Sequence, residues 1–580
     1  MKKNNEYKTN ISKFEYFLPT ILMIIYILVA MIIVVVVKFS MSGEDVAVSI
    51  SRNSGEEAFF NGKYDMAVSE YNLLQETEEW PIWNLKISEI YSVKGDYKKS
   101  NELIQKVYEA RNRIIDTKNV NLEEFEEKDR ELANGIVFNS FMNGEHKKAL
   151  EYGEFFLKSY PDDIKLLKTM FSVYIANKDM DKAENIIDIF AEKETNYDDL
   201  VTAAKMNILI GRYEIGLKQL ENAYKLDENN ISVFDAIEDA ARYNKNNVVS
   251  EIERIIDKNE KNNVYKLFLA KVYSIDSHDM SKCEEIVNEL KESYSENINY
   301  LLIKMKIYVE QDENKKAENV LEEISELNEE NFISEYTESL KFYYEGKYDE
   351  ALKAAKRSIS LNKDYSKLYS SLIPSILLGQ NKPAEEEPYL RTALSMEPFN
   401  FSCMITIAEY YTNVMQDSSK GLYYYTLASE VNPKNSDVYY KMALIKYRNQ
   451  RVEEAISLLK KSISLNSKDA KYYRTLGSIY LEENKNEDGI TQIRKAYEID
   501  KEDIATLNNA AYYYIYVDHN ISRAMSNMKA AFKGLNETTS SSVRDIITDN
   551  YNRIKALYDS SKDSDSSNRK EVISELKLIY

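Results

Sequence analysis

Turn-forming and reactive residues are scarce in this chain: 580 residues hold 15 glycines, eight prolines, two cysteines and three histidines. So few prolines and glycines exclude a turn-rich β architecture, whose short strands need a break roughly every 8–12 residues. Cys283 and Cys403 stand 120 positions apart. A disulfide needs Cα atoms within about 7 Å, so no internal bridge is expected. His146, His278 and His519 are each more than 100 positions from the next. A metal centre needs converging ligands, so these histidines read as solvated turn residues. No GxxxxGK[ST], HExxH, GxSxG or GxGxxG occurs, which removes phosphate cradles, zinc-hydrolase helices and nucleophile elbows. Acidic pairs abound, but nothing singles one out for general acid–base work. The chain reads as a non-enzyme that uses no metal and no cofactor.

Positive charge is also short. Net charge is −20, and the first 40 residues carry five lysines against Glu6 and Glu15, leaving −23 on the remainder. A nucleic-acid binder needs a basic footprint, so nucleic acid is not an expected partner. What the chain does have is 44% hydrophobic and 30% charged residues, the make-up of a folded protein. Its length exceeds what one core supports, so several domains or a repeat array are expected. The 46 tyrosines suit helix–helix grooves, where the ring is buried and the hydroxyl stays wet.

Ile21–Val37 reads ILMIIYILVAMIIVVVV without a charge, and Phe17 and Leu18 extend it upstream. A helix over 17–37 rises about 31 Å, close to the roughly 30 Å hydrocarbon core of a bilayer. Residues 17–37 are therefore expected to span a membrane, after a short cytoplasmic N-terminus (1–16) and before a juxtamembrane spacer (38–47). Four lysines precede the run, and only Lys38 and Arg52 follow closely. The positive-inside rule then sends the large C-terminal part across the membrane. The run is longer than the roughly 7–15-residue core of a signal peptide, which favours a retained anchor.

One phrase recurs: GKYDMA from Gly62, GDYKKS from Gly95, GEHKKA from Gly144, GRYEIG from Gly211 and GKYDEA from Gly346. Glycine enters the left-handed conformation that ends a helix without steric cost. The small residue five positions later suits a close approach of two helices. Units aligned on that residue start near Val48, Pro81, Arg130, Ile164, Thr195 to Tyr197, Ile231, Val264, Ile298, Phe332, Lys367, Ser402, Ser436, Ala470 and Ile504, mostly 33–35 residues apart. The step from Pro81 to Arg130 is 49 residues, which places an insert near 115–129 that reads as extra helix. The unit from Ile231 has Ser250, Arg254 and Asp257 where small or apolar residues belong, so its second helix is in doubt. Helix pairs at a fixed period predict an all-α solenoid.

The pattern resembles the tetratricopeptide repeat family, whose unit is about 34 residues of paired helices. Tyr473, Leu476, Gly477 and Tyr480 match the family's first helix, and Gly489, Ile493 and Ala496 its second. Gly421, Tyr425, Ala428 and Pro433 match in the unit from Ser402, and Tyr439, Ala443, Ala455 and Leu459 in the next. The resemblance implies a right-handed superhelix, with N-terminal repeats over 48–366 and C-terminal repeats over 367–537. A capping helix over 538–559 would close it, with a flexible linker and a short last helix over 560–580. Half of the prolines (Pro374, Pro383, Pro388 and Pro398) fall within 25 residues. They mark either a bend between two limbs or ordinary helix starts and a unit end.

In that family the first helices line a concave groove that holds partner peptides or helices. Carried over by position, the groove would include Tyr410, Tyr440, Tyr447, Arg474, Asn508 and Tyr512, with asparagine able to hold an extended partner's backbone. The expected function is a membrane-anchored scaffold for other, membrane-associated proteins, extracytoplasmic and bacterial in character, in envelope assembly or secretion. A cytosol-facing receptor and a glycan-binding accessory factor are the alternatives.

Overall fold

The computed structural model of the chain describes residues 53–118, 122–192, 196–258, 262–327, 331–536, 539–560 and 575–580. The expected transmembrane helix at 17–37, the segments at 1–16 and 38–47, and residues 561–574 of the expected linker lie outside them. Among the described residues no helix is long and apolar enough to cross a membrane. The secondary structure described is helical throughout, with no strand.

The helices come in antiparallel pairs. Ser54–Phe60 pairs with Tyr64–Thr77, Ile82–Val93 with Tyr97–Lys118, Leu122–Met142 with His146–Leu157, and Ile164–Ala176 with Met180–Ala191. The array continues through Tyr197–Leu209, Ile231–Lys258, Asn263–Tyr273, Ile298–Glu310, Phe332–Tyr344 and Ile373–Gly379, each opening a unit. It ends with Phe401–Glu409, Ser436–Arg448, Ala470–Glu482 and Ile504–Tyr516 as first helices, and with Ser541–Ser560 laid on the last pair. First helices start behind Asp163, Asn196, Asn297, Asn331, Asn435, Asp469 and Asp503, whose side chains accept backbone N–H groups. These caps satisfy donors that the helix itself cannot.

Between the two helices of a unit, except in those from Ile231 and Asn263, one residue takes positive φ. It is Gly62, Gly95, Gly144, Gly211 or Gly346 in five units, and Lys178, Asp312, Asn381, Gln416, Gln450, Asn484 or His519 in seven others. Five positions on, the slot is filled by buried Ala67, Ser100, Ala149, Ala183, Ala317, Ala351, Ala455 and Ala524. Glycines 216, 421 and 489 fill it elsewhere. A methyl group on Gly477 would sit 2.8 Å from the Gly489 carbonyl oxygen, so these two helices meet backbone to backbone. The unit of Asn381 departs from the pattern, with Glu386 in the small slot.

The insert near 115–129 is taken up by lengthening its two neighbours, Tyr97–Lys118 and Leu122–Met142, at 22 and 21 residues. The unit from Ile231, whose second helix the sequence leaves in doubt, does have one. Its two helices run together across a kink at Asn244 (φ −162°, ψ 76°). Val248 and Ile252 supply the buried side of the second, while Arg254 pairs with Glu214 and Glu251. Pro374 opens a helix behind a π-helical turn over Leu368–Leu372, where Ile373 N–H reaches back five residues to Leu368. The wider turn accommodates a residue that has no N–H of its own.

The array also turns back on itself. Phe60 packs on Tyr389 at 4.9 Å, Tyr97 on Tyr423 at 4.4 Å, and Phe171 on Phe399 at 5.6 Å between ring centroids. Lys420 donates to Val93 O at 2.9 Å and Tyr423 to Met142 O at 2.5 Å. Lys205 pairs with Glu397 at 2.8 Å, and Tyr365 donates to Asp235 at 2.8 Å. Residues 365–431 thus cover first-helix residues of the six units between Ser54 and Lys258. His146 is drawn into this contact: its Nε2 lies 2.8 Å from Glu430, and its ring packs on Phe141. It is not the solvated turn residue expected. His278 is exposed, 3.0 Å from Asp276, and His519 sits 3.2 Å from Ile515 O.

Candidate partner-binding groove

With the first-helix faces of the early units covered, the corresponding face of the last three units, Ser436–Arg448, Ala470–Glu482 and Ile504–Tyr516, holds the candidate site. Residues 575–580 run along it in extended form, not as the short helix expected there. The reason lies in the side chains that meet its backbone. Asn550 accepts from Lys577 N at 3.1 Å and donates to Lys577 O at 2.8 Å. Asn509 accepts from Ile579 N at 2.9 Å and donates to Ile579 O at 2.6 Å. Asn508 donates to Lys577 O at 3.0 Å and accepts from Asn550 at 2.8 Å, and Asn509 also donates to Ser478 Oγ at 2.7 Å. Two side-chain amides thus pair both polar groups of residues two apart, as a neighbouring β-strand would.

The segment's side chains alternate only over 576–578, since Ile579 is buried next to Leu578. Leu576, Leu578 and Ile579 are buried, while Lys577 faces out. Leu576 and Ile579 join Ala511, Ile515, Ile547 and Ile554, whereas Leu578 joins Leu481, Ile490, Ile493 and Tyr513.

Each residue expected in the groove has a definite place. Asn508 touches the segment directly. Tyr447 packs its ring on Tyr580 at 5.3 Å and donates to Glu482. Tyr512 packs on Tyr516 at 4.1 Å and against the Leu578 cluster. Tyr440 packs on Tyr472 at 5.3 Å. Arg474 pairs with Asp503 and borders a polar cavity of about 1100 Å³ with Lys434, Asp437, Lys471 and the Asn244–Asn247 kink. Tyr410 is elsewhere. It is 5% exposed, against Tyr411 at 4.9 Å, in the region that covers the early units.

Asn509 and Asn550 were not among the expected residues. The signal for Asn550 was present, since it interrupts the apolar row of Ile547 and Ile554, and a polar residue on a buried stripe needs a partner. Among the described residues no group of histidine, cysteine, aspartate or glutamate side chains is arranged to hold a metal ion.

Stacked helix pairs whose first helices line such a groove define an α-solenoid. Residues 436–469 and 470–503 match the tetratricopeptide repeat model, so the chain carries repeats of that kind there. Among solved structures the chain is similar to the APC/C hetero-tetramer Cut9–Hcn1, at 14% identity over 78% of this chain and 94% of that one (TM-score 0.31). It is also similar to yeast Tom70, at 18% identity over 80% and 95% (TM-score 0.36). A third is YrrB, a repeat protein with an unusual peptide-binding site, at 17% identity over 32% and 94% (TM-score 0.26). No curated protein matches the sequence.

Proposed function

We propose that this chain is a non-catalytic scaffold that gathers other proteins at a membrane. Its anchor is the apolar run Ile21–Val37, and its solenoid lies on the extracytoplasmic side of a bacterial cell, in envelope assembly or secretion. The observation that carries the scaffold reading is the groove of the last three units, where Asn509 and Asn550 take an extended chain by its backbone. Support for the anchor and its orientation comes from the uncharged run and the lysines before it. A short spacer to the first unit would keep the solenoid near membrane-bound partners and raise their effective concentration.

Protease added to intact cells tests the orientation. Digestion of the solenoid is expected, and a protected solenoid would turn the reading to a cytosol-facing receptor. Proximity labelling from the anchored protein tests the scaffold. Partners labelled by the wild type should be lost with Arg474→Ala and Asn508→Ala while the helical content is unchanged. A glycan-binding role is disfavoured because Tyr440 and Tyr447 already pack their rings on Tyr472 and Tyr580.

A further inference from the structure

We infer that the groove formed by Ser478, Asn508, Asn509 and Asn550 binds an extended, apolar segment of a partner protein in trans, and that residues 575–580 are its stand-in within this chain. The inference rests on the scaffold reading and names the chemistry of the partner. Asn508, Asn509 and Asn550 are 1%, 0% and 2% exposed. Buried amides are costly unless they are paired. Besides one another and Ser478 Oγ, the groups that pair them here are the backbone N–H and C=O of Lys577 and Ile579. Such pairing reads main chain and not side chain, so any strand that reaches the groove can replace this one.

Selectivity comes from the pockets on either side. Leu576 and Ile579 enter one apolar cluster and Leu578 another, while Lys577 leaves the groove at 577 open to any side chain. Tyr580 then meets Tyr447. The matching partner is a strand of the form apolar–any–apolar–apolar–aromatic. An acidic strand is disfavoured, since the chain beyond residue 40 carries −23 and Glu482 borders the site. A segment on the same chain acts at an effective concentration on the order of millimolar. A partner must therefore outcompete it, and the groove admits only ligands better than the stand-in.

A fluorescent peptide with the sequence of residues 575–580, titrated into the full chain by anisotropy, tests this. The Leu576→Asp/Leu578→Asp variant, which should release the stand-in, is expected to bind the peptide at least tenfold more tightly than the wild type. Adding Asn509→Ala, or separately Asn550→Ala, to that variant should lower the affinity at least tenfold at unchanged helical content. Equal binding by wild type and released variant, or no binding by a folded released variant, overturns the inference. A dimer that the aspartates dissociate would assign the segment to a second copy and overturn it too. Tenfold tighter peptide binding without any gain in captured partners would uphold the groove and strike the scaffold reading alone.

Discussion

Arg391 donates to Ser92 Oγ at 2.9 Å although 299 positions separate the two, and the same nitrogen reaches Asn139 Oδ1 at 3.1 Å. Arg391 is 1% exposed, and its guanidinium lies 5.1 Å from the Phe138 ring. Burial raises the nearby Glu387 carboxyl above the usual range, and Lys420, Tyr411 and Arg391 offset that rise only in part.

The Arg391→Ala variant leaves Ser92 and Asn139 without this donor and opens a cavity beside Phe138. Together these should lower local stability by about 3–5 kcal/mol. Units in a solenoid depend mainly on their neighbours, so the loss should stay local. Hydrogen exchange is expected to speed up over residues 85–93 and 136–142, while residues 436–516 keep their protection. Unchanged exchange at 85–93 would show that this contact does not hold the early units.

Glu386 occupies the slot that is alanine, glycine or serine in the other units with a left-handed turn. Its Oε1 has no hydrogen-bond partner, and burial pushes its carboxyl up to about 7. A carboxyl raised on folding makes the folded state bind more protons than the unfolded one between about pH 4.5 and 7. Stability should therefore fall as pH rises across that window. Glu386→Gln is expected to gain about 3 kcal/mol over the wild type at pH 8 and little at pH 4.5, read from denaturant midpoints. A gain independent of pH would mean that packing and not charge is at issue.

At Gly346 a methyl group would meet nothing within 4 Å, so Gly346→Ala isolates the cost of positive φ, roughly 1–2 kcal/mol. Gln450 has φ 60° at the equivalent position, and Gln450→Gly should recover part of that strain, about 1 kcal/mol. Paired unfolding curves of the two variants should shift in opposite directions. A loss on Gln450→Gly would show that its side chain, not its backbone, matters there.

These turns also mark how far the sequence could be read. Glycine announced five of them and a small residue five positions on announced others. Lys178, Asp312 and Gln450 take the same conformation with no glycine to signal it, because the surrounding helix pair imposes it. The unit phasing was legible for the same reason: close helix approach demands a small side chain at one place. The fold-back was not legible, since Arg391 with Ser92 and His146 with Glu430 are long-range pairings that no period encodes. In the groove Asn508 was legible by position. The extended form of 575–580 was missed because a helical run was read into EVISELKLIY, where the Leu576, Leu578 alternation was the better guide to its end.

Glu397 gives the opposite pH dependence to Glu386, and the comparison tests the fold-back itself. Burial alone would raise its carboxyl, but Lys205 and Lys168 overcome that and hold it down at about 2. A carboxyl lowered on folding stabilises the folded state above its unfolded value of about 4.5, and that contribution is lost as pH falls toward 2. Glu397→Gln leaves Lys205 with Asp239, 3.8 Å away, as its remaining partner. The variant should be less stable than the wild type by about 3 kcal/mol at pH 6, with the gap closing as pH falls to 2. Denaturant unfolding followed by the fluorescence of Trp80 and Trp83, the chain's two tryptophans and both in the early units, would read it. A gap that stayed constant from pH 6 to 2 would show that the charge on Glu397 does not hold residues 365–431 against the early units.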